Sequence, residues 1–366
     1  MIEIAGRAVG TGSPCLLIAE LGTSHQGDRA KARELIDAAA ESGADCIKFQ
    51  LVHADEILHP LSGIVDLPTG KVALYEQFRS LEKAVGFYED LKSYTESRKV
   101  IFLCSPFGLR SARELKSIGA KALKVASPEL NHFALLEEVG GYGLPLFLST
   151  GVSTLGDIER SLAVTGRRNI VLMHCVTAYP APEADYNLRV LAGLRSIFGV
   201  EVGVSDHSLD PILVPTLAVA SGACAVEKHF TLSQAGAGLD DPIALEPDQY
   251  RQMVKRVRQA EQAGPAPARA ALEAEYGEER VRQVLGSGVK ELAESEKANY
   301  TRTNRSIHAM KQIPRGARIG PSDVAVLRTE KKLRPGIGPQ FLSLVVGAVA
   351  RRAIPPGEGV EWADLI

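Results

Sequence analysis

Residues 199–208 read GVEVGVSDHS. Val200, Val202 and Val204 alternate with Glu201 and Gly203, the pattern of a strand whose successive side chains face opposite ways. The run then ends in Ser205, Asp206, His207 and Ser208. A strand with such an end either runs out into water or stops at a working site. Seven other short apolar runs share the shape: CLLIAEL (15–21), CIKFQ (46–50), VIFLCSPF (100–107), ALKVASPE (122–129), LPLFLSTG (144–151), NIVLMHCVTAY (169–179) and CAVEKHFTL (224–232). Near-continuous apolar runs suit parallel strands buried on both faces.

Helical patterns lie between the runs. Asp28 is placed to cap RAKARELIDAAAESG, where Leu35, Ile36 and Ala39 share a face and Gly43 is a stop signal. Ser111 and Glu114 form a capping-box pair ahead of Leu115 and Ile118. Asp210 followed by Pro211 is a helix entry, because proline there gives up only a donor that was already unpaired. Strands alternating with helices over about 230 residues predict a (β/α)8 TIM barrel. No G-x-G-x-x-G follows the first run, which ranks an open doubly wound sheet second. MIEIAGRAVG reads as a small hairpin closing the barrel bottom.

The expected organisation is a barrel over residues 1–260, a helical linker over 261–300 and a small β-rich domain over 301–366. The tail contains a weak echo, IPRGARIGPSDV (313–324) against IPPGEGVEWADL (354–365). A module of about 65 residues is near the lower size for independent stability, so it is expected to dock on something larger.

Composition bounds the partners. Net charge is −2 over 366 residues, with no basic excess of the kind nucleic acid requires. There is no basic leader followed by an apolar core. The most apolar long stretch, 212–226, carries Pro215 and Gly222 and falls short of the roughly 18 residues of a membrane span. A soluble cytoplasmic protein, binding neither membrane nor nucleic acid, is the expectation. The five cysteines show no C-x-x-C and read as buried reduced thiols.

In a (β/α)8 barrel the site lies at the C-terminal ends of the strands. Those ends carry Glu20; Lys48 and Gln50; Ser105; Lys124, Ser127 and Glu129; Ser149 and Thr150; His174, Thr177 and Tyr179; Ser205, Asp206 and His207; Glu227, Lys228 and His229. Buried charge is costly unless paired, so its repeated use at one end of the barrel argues for a site. Lys48, Lys124, Ser127, Ser149 and Ser205 suit a phosphate dianion plus a carboxylate. His207 and His229 end adjacent strands beside Glu227, and neutral imidazoles ligate divalent transition ions. Two such ligands leave positions open for water and a substrate oxygen. Asp206 is placed to orient a neighbouring ring, and His174, inside LMHCV, reads as structural.

These residues resemble the N-acetylneuraminate (sialic acid) synthase family, which includes legionaminate and pseudaminate synthases. The resemblance is carried by IAELGTSHQGD, GADCIKFQ, LKVASPELNHFALL, LSTGVST, HCVTAYPAP, GVSDHSLD and EKHFTL…GLDDPIALEP, in family order. The tail, RSIHAMKQIPRGARIGPSDVAVL…LRPGIGP…VVGAVARRAIPPGEGV, is similar to the antifreeze-like (SAF) domain of those synthases. The resemblance implies condensation of phosphoenolpyruvate with an open-chain sugar of the N-acetylmannosamine type. The products are a nine-carbon 2-keto sugar acid and phosphate. Carried over by motif, Lys48, Lys124, Ser127, Ser149, Thr177 and Ser205 hold phosphoenolpyruvate. His207 and His229 hold the metal, Mn²⁺ first, with Mg²⁺ or Co²⁺ as alternatives. Gln50, Tyr179 and Asp240 face the sugar with Glu20. Glu20, Glu129 and Glu227 are the catalytic carboxylates, with Glu129 beside the positive charge developing on phosphoenolpyruvate.

The resemblance also implies a homodimer in which the SAF domain of one chain covers the barrel of the other. Arg334 is the first candidate to reach the sugar, Arg305 the second. The chain departs from the family's frequent NHNGD at Ser24 and Gln26, from GPDH at Asp241, and from ASGEL at Pro128. Residues 51–78 occupy the stretch where the family recognises sugar. Two other readings stay open. One is a different phosphoenolpyruvate-condensing or aldolase-type barrel, although a Schiff-base aldolase needs one lysine in an apolar pocket. The other is a non-catalytic sugar-acid-binding protein.

Overall fold

The structure, a computed structural model, describes residues 1–67, 70–330 and 332–366. Eight strands form the centre: β1 (Leu16–Gly22), β2 (Cys46–Leu51), β3 (Ile101–Pro106), β4 (Leu123–Val125), β5 (Leu146–Ser149), β6 (Ile170–Cys175), β7 (Glu201–Asp206) and β8 (Ala225–His229). They close a parallel barrel in which each strand pairs with its successor and β8 pairs with β1. The expected (β/α)8 architecture is the observed one.

The two-residue period of a strand sorts the barrel interior into layers. Leu16, Ile18, Cys46, Leu103, Ala122, Phe147, Val171, Met173 and Ala225 fill the lower layers. Ile2, Ile4 and Val9 of the hairpin Ile2–Ile4/Arg7–Val9 join them, so the N-terminal hairpin does close the bottom. Two residues further along the same strands stand Glu20, Lys48, Lys124, Ser149, Cys175, Ser205 and Glu227, all lining a cavity. Gly203 is the price of that filling: a Cβ there would lie 2.6 Å from the Ala225 carbonyl and 2.7 Å from the Met173 sulfur. The opposite strand faces (Leu17, Ala19, Ile47, Phe49, Leu148, Leu172, Val202, Val204, Val226) pack on the helices. Each fully buried Leu, Val, Ile or Phe among them contributes about 1.5–3 kcal/mol.

Helix Arg29–Glu41 starts where its sequence signals put it. The Asp28 carboxylate accepts from the amides of Ala30 and Lys31, and Ala32, Leu35, Ile36 and Ala39 are buried. The next expected cap is displaced. The helix runs Leu109–Ser117 from an N-cap at Gly108, Ser111 already lies in its first turn, and Glu114 faces His53. Asp210 accepts from the amides of Ile212 and Leu213 and opens Leu213–Ala220.

After the barrel come helices Pro247–Ala263, Pro265–Tyr276 and Glu278–Leu285. The segment 286–300 carries only a 3-10 turn, Glu294–Glu296, where a helical linker was expected. Gly286 and Gly288 have positive φ, and Asn187 holds the segment through the Val289 carbonyl and the Gly288 amide. In the C-terminal module β9 (Arg305–Ala309) and β10 (Val324–Arg328) pair antiparallel over a core that includes Ile307, Ile313, Ile319, Ile354 and Val360. The sequence echo is structural. Ile313 and Ile354 bond to each other in both directions, and Asp323 and Asp364 accept from the amides of Gly320 and Glu361 at matching positions. No helix of the described residues is long and apolar enough to cross a membrane.

Candidate active site

The strand ends line one cavity of about 390 Å³. At its floor the Lys48 ammonium lies 3.1 Å from Glu20 and 3.3 Å from Glu227. The Lys124 ammonium donates to both Glu227 oxygens at 2.9 and 3.0 Å and to Ser205 at 3.3 Å. Ser149 meets Ser205 at 3.4 Å. Burial pushes the Glu227 carboxyl up, but Lys124 and Lys48 outweigh it and hold the group down to about 2. Burial raises Glu20 above the usual carboxylate range, with only partial relief from Lys48. The lysines thus hold one carboxylate of the floor as an anion, while burial works against the charge on the other.

Ser127 accepts from the Gly151 amide, and the Thr177 hydroxyl is buried with no partner although it lines the cavity. A buried polar atom without a partner costs about 1–3 kcal/mol unless a ligand supplies one. Six candidates for the anion (Lys48, Lys124, Ser127, Ser149, Thr177, Ser205) thus share one cavity wall.

His207 and His229 stand at the mouth with ring centroids 5.5 Å apart. The His207 Nδ1 lies 2.8 Å from the Val176 carbonyl, so that nitrogen donates and Nε2 keeps its lone pair. Burial lowers the pKa of both rings, and at His229 the neighbouring His207 adds to it, so both are neutral. Tyr179 stacks on His207 at 4.3 Å. Asp240 lies 3.8 Å from His229, its pKa raised to about 6 by burial and by the charge of Glu20. Two neutral imidazoles beside crowded carboxylates fit a divalent cation. Among the described residues no group of three or more such side chains is arranged to hold a metal ion.

Other expectations meet different partners. Asp206 does not orient a histidine; it is fully buried against the Lys228 ammonium at 2.6 Å, on the helix-facing side of the barrel. His207 is held instead by Tyr186, whose hydroxyl accepts the His207 amide and whose carbonyl bonds His174. Glu129 does not line the cavity. Both its oxygens are taken by Arg328, and Arg305 adds further bonds to Oε1. It is the buried anchor of the C-terminal module, since two arginines of β9 and β10 neutralise one carboxylate. Arg334 bonds Asp364 and the Gly359 carbonyl within the module and is not among the cavity residues. Module residues that line the cavity of their own chain's barrel include Thr303, Glu330 and Arg328, the last 5.4 Å above the Phe107 ring.

The cavity lining also includes Gln50, Tyr179 and Asp240 and the apolar side chains of Leu74, Phe78, Phe107 and Leu239. Gln50 donates to Glu20 at 2.6 Å. Ser24 donates to Asp241, so two of the departures from the family pattern meet each other. Residues 68 and 69 of the stretch 51–78 lie outside the described residues. Reading strand ends missed Arg328, Tyr186 and the wall residues, which stand on helices, loops and the module.

Residues 35–266 match the NeuB family and residues 304–366 the SAF domain. The chain is 35% identical over 370 residues to the spore coat polysaccharide biosynthesis protein SpsE of Bacillus subtilis, covering 100% of this chain and 97% of that protein. It is 31% identical to the N,N'-diacetyllegionaminic acid synthase of Legionella pneumophila, covering 97% of this chain and 96% of that one. The crystal structure of B. subtilis SpsE superposes with a TM-score of 0.83 at 33% identity, over 100% of this chain and 98% of that chain.

Proposed function

We propose the residue roles and the acceptor from one premise: the chain belongs to the NeuB family and is a phosphoenolpyruvate-dependent nonulosonic acid synthase. It joins phosphoenolpyruvate to an amino-sugar aldehyde and releases phosphate. The acceptor is a hexose of the N-acetylmannosamine type, and the product a nine-carbon 2-keto acid. The observation that carries this is the single cavity in which two buried lysines, hydroxyls and the unpartnered Thr177 oxygen adjoin a pair of neutral imidazoles.

Lys48 and Lys124 exchange part of their pairing with Glu20 and Glu227 for the carboxylate and phosphate of phosphoenolpyruvate. Ser127, Ser149, Thr177 and Ser205 donate to the same anion. His207 and His229 hold a divalent ion, Mn²⁺ as first choice, which supplies Lewis acidity to the acceptor aldehyde when bound. C3 of phosphoenolpyruvate attacks the aldehyde carbon and the C–C bond forms. Glu227, fixed as an anion, faces the positive charge that develops at C2. Glu20, with its raised pKa, gives a proton to the new alkoxide and regains one from the water that adds at C2. The C2–O bond to phosphate then breaks as the C2 hydroxyl forms the ketone, and its proton leaves with the phosphate. Gln50, Tyr179 and Asp240 orient the sugar, and the apolar wall suits its acetamido methyl groups.

A homodimer with exchanged modules keeps the Glu129–Arg328 contact, made between chains instead of within one. Light scattering reads the stoichiometry, and a fully active monomer excludes the exchange. A phosphate-release assay with phosphoenolpyruvate, Mn²⁺ and a panel of acetamido sugars tests the whole reading. Sugar-dependent release is expected. No release with any sugar favours a binding protein, and release without sugar points to another reaction of phosphoenolpyruvate.

A further inference from the structure

The linker between barrel and module carries one fully buried carboxylate, Glu296. Its Oε1 accepts from the Val152 amide at 2.7 Å and from the Thr177 amide at 2.7 Å. Those two amides belong to the segments that leave β5 and β6, the strands flanking the anion wall. The backbone between them is tight. Val152 has φ +43, a left-handed conformation costly for a β-branched residue. A Cβ on Gly151 would lie 2.1 Å from the Thr177 hydroxyl, 2.8 Å from the Ser127 hydroxyl and 3.1 Å from Glu296 Oε1. Both cavity hydroxyls and the linker carboxylate therefore converge on one glycine. A neighbouring linker residue, Lys290, donates to the Thr150 carbonyl at 3.2 Å.

We infer that Glu296 is a positioning residue for the phosphoenolpyruvate end of the cavity. The inference rests on the proposed reaction. By holding the amides of Val152 and Thr177, the carboxylate keeps Val152 in its strained conformation and leaves the Thr177 hydroxyl unpaired and aimed into the cavity. It touches no reacting atom. It also ties the segment that leads to the module to the anion wall, so the path of the linker and the geometry of the wall are set together.

The test is a double-mutant cycle on the full chain. Glu296→Ala leaves two buried amides without an acceptor and is expected to raise KM for phosphoenolpyruvate roughly tenfold, with kcat and the sugar KM little changed. Glu296→Gln, whose carbonyl accepts from the same two amides, restores most of the affinity. Thr177→Val raises the same KM, and the double variant Glu296→Ala/Thr177→Val is no weaker than the worse single one, because both act through one hydroxyl. Multiplying effects, or a sugar KM that rises equally, would overturn the inference. The cycle is repeated as phosphoenolpyruvate affinity by calorimetry. A wild-type chain that binds phosphoenolpyruvate without turnover then sinks the reaction and still judges Glu296; a chain that binds none sinks both.

Discussion

At the anion end of the cavity Lys48, Lys124, Ser149, Ser205 and Glu227 all stand on barrel strands, two residues above a closely packed apolar layer. Elsewhere in the lining Leu74, Phe78, Leu239, Asp240 and Arg328 come from a helix, a loop and the module. The strand-borne residues are neutralised by one another and held by closed pairing on both sides. The loop-borne ones owe their place to longer-range contacts, such as Ser24 with Asp241 and Glu129 with Arg328. Under the proposed reaction, chemistry common to every acceptor sits on the rigid part, and the fit to one acceptor sits on the adaptable part.

The sharpest way to break that contrast is Lys124→Met. It removes a charge from the phosphate and leaves Glu227 with one lysine, so kcat/KM is expected to fall by about a thousandfold, whichever sugar is offered. Steady-state phosphate release measures it, and a loss confined to one acceptor would undo the division. Glu129→Ala strands Arg305 and Arg328 in the interface and is expected to cost about 3 kcal/mol in urea unfolding. Limited proteolysis within 286–304 should become faster. An unchanged urea midpoint, with activity lost, would return Glu129 to the chemistry. Phe78→Ala is expected to raise the sugar KM roughly tenfold and leave the phosphoenolpyruvate KM alone. A rise in both would show that the two ends are not separable.

The smallest effect is a pH dependence of stability. Burial lowers His174, bonded to the Tyr186 carbonyl, to about 3 and His308, inside the module, to about 4. Both are neutral when folded and take up a proton on unfolding below the ordinary value near 6.5. Their contribution is intact above that pH and is lost as pH falls toward the folded values. At pH 6 each costs the fold just under ~1 kcal/mol, and the loss steepens to about 1.4 kcal/mol per pH unit below that. Urea denaturation from pH 7.5 to 5 reads the slope, and stability that rises on acidification would contradict it.

Much of this was legible in the chain itself. Eight apolar runs with polar ends state a parallel barrel and its working end, because strand period and burial on both faces leave few other arrangements. Lys48, Lys124, Ser149, Ser205 and His229 follow from the same period, since they sit at strand positions whose direction is fixed locally, and His207 stands one residue past its strand. Glu129 shows the limit. It closes the 3-10 turn just past β4, and it turns from the cavity because two arginines about 175 and 200 residues later need a buried partner, and the cost of an unpaired charge decides its direction. Asp206 is taken by Lys228 for the same reason. Glu296 has no local pattern at all; its role exists only because the linker crosses the ends of β5 and β6. Local periodicity determined which residues could face the cavity. The tertiary structure decided which of them do, because long-range pairing of buried charges and amides outweighs any preference a short stretch of sequence can express.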